Sequence, residues 1–229
     1  MLTFYYNTAP NPMKVALFLE EAGLAYEPVP LDTRKGDQHS AAYCAINPNA
    51  KAPAIVDDGV PVFDSNAILL YLAEKTGQFL PPASDRGALL SWLMFVASGV
   101  GPYSGQCVNF RFFAPEDQRA YGLQRYDFEA RRHWGIVNDR LSASPYMLGE
   151  TYTIVDMAVW GWATRIPFML GDDRAMEGFP SIARLIGEIN ARPAAARANA
   201  LAKSHAFKTE MDEAAKRAMF PALFAAGPA

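Results

Sequence analysis

The sequence has few of the features that mark several large classes of protein. Its 229 residues contain only two cysteines, Cys44 and Cys107, with no CxxC pair and no zinc-site spacing. This disfavours a disulfide framework and a thioredoxin-type dithiol oxidoreductase, and it predicts a reducing, cytoplasmic setting. The sequence has no apolar run as long as a membrane span, and the N-terminus lacks the basic start of a secretory signal.

Positive charge is not in surplus either. Lysine and arginine together number 21 against 24 acidic residues, for a formal net charge of −3. A nucleic-acid surface is usually basic, so none is expected. The histidines show no metal-ligand spacing to one another or to the cysteines, which predicts no metal cofactor. With 51% hydrophobic and 20% charged residues, the chain has the composition of a globular protein.

The first eighty residues carry the signals of a small mixed sheet with helices on both faces. A proline at the first helical position, Pro12, follows Asn11 as the expected N-cap, and Gly23 ends that helix. The Asp57-Asp58-Gly59 run predicts a hairpin turn. Strands are predicted at 2–6, 26–31, 54–56 and 61–63, and helices at 12–22, 39–46 and 65–75. The order βαβ, α, ββα indicates an α+β domain.

The segment 47–72 is the most informative for function. Pro53 stands at the mouth of a strand, where proline is tolerated, and a cis Ala52–Pro53 bond would mark a tight turn. Such a turn would leave the main chain of Ala52 free to pair with an extended peptide. Asp64 and Ser65 open a helix, and the first N–H groups of a helix bind carboxylates. The combination suits a small acidic peptide, although an ordinary trans proline and a simple helix-start serine remain open.

Strand signals vanish after a proline-containing linker at 78–85. Thr153 and Asp156 fit a capping box at the start of a helix. Helices are predicted at 86–113, 116–141, 153–170, 179–191 and 194–207, followed by an amphipathic stretch. The expected domains are therefore 1–80, an all-helical domain at 86–210 and an extension at 211–229.

These features in this order resemble the cytosolic glutathione transferases, over nearly the whole chain. Within that family the sequence is most similar to the bacterial Nu class, whose members act as glutathione-dependent disulfide-bond reductases. The segments that carry the Nu-class resemblance are Pro10-Asn11, 17–22, Lys35-Gly36 with Gln38, 67–77, and Gly101-Pro102 with Gly105-Gln106.

The resemblance implies a thioredoxin-like N-terminal domain that binds glutathione as cosubstrate, an all-α C-terminal domain and a homodimer. It also implies a particular set of contacts with the tripeptide. These are the main chain of Ala52 ahead of Pro53, Asp64 and Ser65 at the γ-glutamyl end, Gln38 and Lys51 at the glycyl carboxylate, and Arg132 from the second domain.

The glutathione sulfur is expected beside Asn11. Only the thiolate is a good nucleophile, so the protein has to lower the pKa of the thiol. A hydrogen bond to an ionised acceptor contributes about 1.5–3 kcal/mol, which corresponds to roughly one to two pKa units. The Nu pattern usually has threonine where this chain has Ala9; Thr8 is the adjacent hydroxyl. Tyr5 and Tyr6 are expected to pack in the structure rather than activate the thiol.

The function expected from the resemblance is attack of bound glutathione thiolate on a disulfide or a small electrophile. The alternative is a non-catalytic protein that keeps the fold and binds glutathione. Structural roles also remain open for Asn11, as a helix cap, and for Arg132, as part of a solvated or ion-paired face.

Overall fold

The computed structural model describes residues 1–225, which form two compact units. The first unit contains residues 1–68 and 197–225, and the second contains residues 69–196. The boundaries run inside two helices, α3 (Ser65–Thr76) and α10 (Pro193–Leu201). By its contacts, the C-terminal segment therefore belongs with the N-terminal sheet.

The first unit is built on a four-stranded mixed sheet in the order β2-β1-β3-β4. The central strand β1 pairs in parallel with β2 and antiparallel with β3, which continues antiparallel to β4. The prolines of β2 are tolerated because β2 is an edge strand. Asp58 and Gly59 have φ values of 48° and 88°, as a two-residue type I′ hairpin requires. The strands are β1 (Leu2–Tyr6), β2 (Glu27–Pro30), β3 (Ala54–Asp57) and β4 (Val60–Phe63).

Strand β1 alternates as its sequence predicts. Leu2, Phe4 and Tyr6 are buried, whereas Thr3 and Tyr5 are only partly buried. One face of the strand therefore lies in the core of the unit.

Helix α1 (Pro10–Ala22) begins two residues earlier than expected, and the predicted N-cap at Asn11 is wrong. Ala9 is the N-cap residue, and no side chain caps the helix. Pro10 explains the early start, because its fixed φ suits the first helical position and it has no N–H to leave unbonded. Gly23 ends the helix with a φ of 65°, as predicted.

Two shorter elements follow in the first unit. Helix α2 (Ala41–Ile46) is preceded by a 3₁₀ turn at Asp37–His39, so the predicted helix at 39–46 is nearly right. Helix α3 begins at Ser65 and ends before Gly77, which has a φ of 68°.

The second unit is helical, as predicted, but two of the predicted helices are broken. A π-helical turn at Val96–Val100 interrupts 86–113, and the helix at 153–170 divides before Pro167. The Thr153–Asp156 capping box is confirmed. The helices are α4 (Arg86–Phe95), α5 (Gly101–Phe112), α6 (Arg119–Ser142), α7 (Ile154–Ala163), α8 (Ile166–Leu170) and α9 (Pro180–Asn190).

The C-terminal region departs most from the prediction. Helix α10 ends at Leu201, so the predicted helix at 194–207 is too long. The amphipathic stretch forms two short helices, α11 (Glu213–Met219) and α12 (Pro221–Ala225), because Pro221 cannot continue the first of them. Residues 226–229 of the expected extension lie outside the described residues. No helix within residues 1–225 is long and apolar enough to cross a membrane.

Candidate functional site

The strand register gathers four loop segments at one end of the sheet. Tyr5 pairs with Ala54, and Ala54 pairs with Phe63. Tyr6 pairs with Pro30 on the other side. The residues that follow β1, β2 and β4, and those that precede β3, therefore lie at the same end of the sheet, beyond the carboxyl end of β1. These segments contain every predicted site residue except Arg132.

The turn between β1 and α1 concentrates hydrogen-bond donors on one residue. Pro10 and Pro12 have no N–H, so the main-chain donor among residues 10–12 belongs to Asn11. The Asn11 side chain, which is partly buried, adds a carboxamide at the same place. Thr8 is also partly buried, and the Ala9 N–H is taken by Asn7 Oδ1 at 3.0 Å. The positive end of the α1 dipole therefore carries one asparagine with two kinds of donor.

The loop before β3 has a cis Ala52–Pro53 bond, so the trans alternative is wrong. Lys51 is exposed, but its carbonyl accepts hydrogen bonds from Tyr43 Oη at 2.8 Å and Asn47 Nδ2 at 2.6 Å. Burial raises the pKa of Tyr43 to about 12. Two buried side chains therefore fix the main chain immediately before Ala52.

Sequence reasoning missed Tyr43 and Asn47. Asn47 precedes a proline, which signals a turn, but nothing in the local pattern aims either side chain at Lys51. Their role follows from packing: Tyr43 belongs to a small buried cluster with Leu31 and Ala54.

Asp64 is the N-cap of α3. It has a φ of 71°, and its Oδ1 accepts hydrogen bonds from Asn66 N at 2.9 Å and Ala67 N at 3.2 Å. The expected carboxylate socket is thus partly filled by the protein itself, because two of the first amides of the helix are bonded to Asp64. Asp64 is exposed, whereas Ser65 is 3% exposed.

Lys14 lies on α1 with a buried amine that interacts electrostatically with the Asp64 carboxylate. Its side chain is almost fully buried, at 1% exposure. Burial lowers its pKa to about 7, and the Asp64 carboxylate opposes that shift. No local pattern predicts this burial, since a lysine between Met13 and Val15 is normally expected to reach solvent.

Gln38 is buried beneath the C-terminal segment. It is 2% exposed, and its Nε2 donates a hydrogen bond to Ala218 O of α11 at 3.1 Å. Its Oε1 has no hydrogen-bond partner among the described residues. The side chain expected at the glycyl carboxylate is therefore engaged by the protein.

The two tyrosines of β1 have structural partners, as predicted. The Tyr6 hydroxyl lies 2.5 Å from His205 Nδ1 and donates to Leu201 O at 3.1 Å, and burial raises its pKa. Tyr5 packs its ring on Tyr43, with the centroids 5.5 Å apart.

Arg132 lies on α6, in the second unit. Its Nε donates to Glu129 Oε2 at 2.8 Å, and Glu129 also accepts from Arg125 at 2.5 Å. These two arginines, Arg132 foremost, lower the pKa of the Glu129 carboxyl. The ion-paired face is thus present, and the glutathione contact of Arg132 stays a prediction.

The two cysteines are far apart along the described part of the chain, and both are free thiols. Cys107 is fully buried, and burial raises the pKa of its thiol. Cys44 and Cys107 form no disulfide. No group of His, Cys, Asp or Glu within residues 1–225 is arranged to hold a metal ion.

Comparison with known proteins decides the family. The glutathione S-transferase N-terminal domain matches residues 1–74. The disulfide-bond oxidoreductase YfcG of Escherichia coli is 41% identical over 209 residues, covering 86% of this chain and 94% of its own length. The chain belongs to the glutathione S-transferase family. Its mixed sheet and helical second unit are the thioredoxin-like and all-α parts of the glutathione transferase fold, as predicted.

Solved structures of other family members agree. A glutathione transferase from Burkholderia graminis, with two glutathione molecules bound per subunit, is 36% identical with a TM-score of 0.79 and covers 86% of each chain. A glutathione transferase from Phanerochaete chrysosporium, in complex with oxidised glutathione, is 33% identical with a TM-score of 0.81. It covers 88% of this chain and 96% of its own.

Proposed function

We propose that this glutathione S-transferase family member binds glutathione at the end of the sheet of its first unit where these loops meet, and that it uses the thiolate to reduce disulfides. The observation that carries the proposal is the convergence of the β1–α1 turn, the cis-proline loop and the start of α3 at that end of the sheet. The similarity to a disulfide-bond oxidoreductase supports disulfide reduction over conjugation to an apolar electrophile. Relatives solved with glutathione or its disulfide support the ligand.

The proposed pose uses the contacts that the resemblance implies. Ala52, in the loop held by Tyr43 and Asn47, pairs main chain to main chain with the cysteinyl unit. Asp64, exposed and negatively charged, meets the γ-glutamyl ammonium, with Ser65 beside it. The remaining proposed contacts are Lys51 and Gln38 at the glycyl carboxylate and Arg132 at a glutathione carboxylate.

The chemistry needs two glutathione molecules and no metal. The first thiolate attacks one sulfur of the substrate disulfide, forms a mixed disulfide and releases one substrate thiolate, which is then protonated. A second glutathione thiolate attacks the glutathione sulfur of the mixed disulfide and releases the other substrate thiolate. Two glutathione thiols are oxidised to one glutathione disulfide while the substrate disulfide is reduced to two thiols.

Asn11 is the proposed source of thiolate stabilisation. Its N–H and carboxamide stand at the positive end of α1, where neighbouring prolines contribute no donors. One hydrogen bond to the thiolate contributes about 1.5–3 kcal/mol, equivalent to a pKa lowered by roughly one to two units. Thr8 supplies the nearest hydroxyl, since Ala9 has none.

The test is turnover of hydroxyethyl disulfide with glutathione by the wild type and by Asn11→Ala. We expect kcat/KM to fall by roughly 10- to 100-fold, the equivalent of that hydrogen bond. Asn199→Ala is the matched control, because Asn199 is an exposed asparagine of the same unit. Equal rates in wild type and Asn11→Ala would remove Asn11 from the mechanism. Glutathione-dependent thermal stabilisation without turnover of this disulfide or of an aryl halide would favour the non-catalytic alternative.

Finer features of the proposal also follow from the resemblance. We expect a Nu-class, cytoplasmic homodimer with domains at 1–80 and 86–210 and an extension at 211–229. Light scattering on the purified protein would give the mass of one chain if the dimer is wrong.

A further inference from the structure

The C-terminal segment 208–219, here called the strap, has no part in the proposed function. Its first residue, Lys208, is held by two side chains that follow β2. Asp32 Oδ2 accepts a hydrogen bond from Lys208 N at 2.8 Å, and Arg34 donates to Lys208 O at 2.7 Å. Both main-chain polar atoms of Lys208 are therefore bound, and Asp32 itself is buried.

The far end of the strap is α11, which lies over the turn that contains Gln38. Asp212 caps the helix by accepting a hydrogen bond from Ala215 N at 2.7 Å, and the Ala215 side chain is fully buried. Ala218 O accepts the Gln38 amide at 3.1 Å. The Ala218 Cβ also comes within 3.7 Å of the place that a Cβ on Gly36 would take. The helix thus covers the Gly36–Gln38 turn directly.

This arrangement conflicts with the proposed role of Gln38. At 2% exposure, Gln38 cannot meet a glycyl carboxylate while α11 stays in place. The contact with α11 is also incomplete, because Gln38 Oε1 has no partner among the described residues. Buried polar groups in proteins are normally hydrogen-bonded, so the covered state leaves part of the Gln38 amide unsatisfied.

We infer that the strap and the glycyl carboxylate of glutathione compete for Gln38, so that α11 leaves this position when the tripeptide is fully bound. The inference rests on the proposed function. Lys208 keeps its hydrogen bonds with Asp32 and Arg34, and residues 209–211 act as the hinge. Helix α11 has seven residues, too few for a stable isolated helix, so release unravels it.

The cost of release appears in the affinity for glutathione. When only a fraction of the protein is in the competent state, the apparent Kd is the intrinsic Kd divided by that fraction. If the strap is open about one tenth of the time, opening it permanently tightens binding about tenfold.

Ala215→Glu opens the strap in the full-length chain, because it places a charge in the buried contact while keeping a good helix former. Ala214→Glu is the matched control, since Ala214 is the exposed neighbour on the same helix. In calorimetric titrations with glutathione we expect about tenfold tighter binding by Ala215→Glu and no change by Ala214→Glu. γ-Glutamylcysteine, which lacks the glycyl unit, should bind all three proteins equally.

Two further measurements complete the test. In Ala215→Glu the exposed Gln38 amide has only the ligand as partner. Adding Gln38→Ala to this variant should therefore weaken glutathione binding about tenfold. In the unmodified protein, hydrogen exchange of the α11 amides should rise when glutathione is added. This measurement decides the question if Ala215→Glu does not fold.

The inference is overturned if Ala215→Glu binds glutathione no more tightly than the wild type, or if glutathione leaves α11 exchange unchanged or slows it. A wild type that binds glutathione with unchanged α11 exchange refutes only the strap. A wild type and variants that all fail to bind glutathione refute the proposed function as well.

Discussion

The buried lysine of α1 makes the stability of this protein depend on pH in a specific way. The Lys14 pKa falls from 10.5 to about 7 on folding, mainly because of burial. Between these values the unfolded chain binds more protons than the folded one, so the free energy of unfolding rises with pH. The full penalty, on the order of 5 kcal/mol, is present below about pH 7 and disappears above about pH 10.

Lys14→Met replaces the ammonium with an apolar side chain of similar length. We expect the variant to be more stable than the wild type near neutral pH, because no buried charge remains. From about pH 7 to about pH 9 the wild type should gain about 2 kcal/mol relative to the variant.

The assay is urea unfolding followed by circular dichroism at both pH values, read from midpoint shifts at unchanged slope. Lys203→Met is the control, because Lys203 is an exposed lysine of the same unit. Parallel pH profiles for wild type and Lys14→Met would contradict this expectation, since they would mean that the pKa of Lys14 does not change on folding.

Three further changes have defined outcomes. Asp156→Asn should destabilise the protein by about 1–3 kcal/mol, because Asp156 accepts buried hydrogen bonds from Met147 N at 2.7 Å and Thr153 N at 2.8 Å. Since burial raises the Asp156 pKa from 3.8 to about 6, the wild type should gain stability as pH falls through that window, and chemical denaturation of Asp156→Asn should show no such gain. Tyr6→Phe should lower the unfolding free energy by about 1 kcal/mol and leave kcat/KM within about twofold; a far larger loss of turnover would make Tyr6 an activating tyrosine. Asn47→Ala should weaken glutathione binding by roughly threefold to tenfold in calorimetry, because Lys51 O loses a 2.6 Å bond, and unchanged affinity would show that the loop needs no such support.

The sequence predicted those parts of the fold that depend on local pattern. Alternation placed Tyr6 in the core, Asp58-Gly59 marked the hairpin, and Thr153 with Asp156 marked a helix start. Each of these signals acts within a few residues, so no tertiary contact was needed to read it.

The errors came where two local signals competed or where distant contacts decide. Pro10 and Pro12 both suit a first helical turn, and the earlier one begins α1, which moved Asn11 inside the helix. The predicted helix at 194–207 ends early at Leu201, whose carbonyl binds Tyr6 far away in the chain.

The candidate site shows the same division. The resemblance predicted Asn11, Ala52 and Asp64 as site residues, and the strand register brings their segments to one end of the sheet. Two features near the site could not be predicted from the sequence. The lowered pKa of Lys14 depends on its burial, and the cover over Gln38 depends on a segment 180 residues away.

A crystal structure of this protein with glutathione bound would show directly which group stabilises the thiolate. We expect the sulfur to lie within hydrogen-bond distance of Asn11 at the start of α1, with the cysteinyl main chain paired to Ala52. A sulfur that instead contacts a tyrosine hydroxyl or the Cys44 thiol would contradict the proposed role of Asn11.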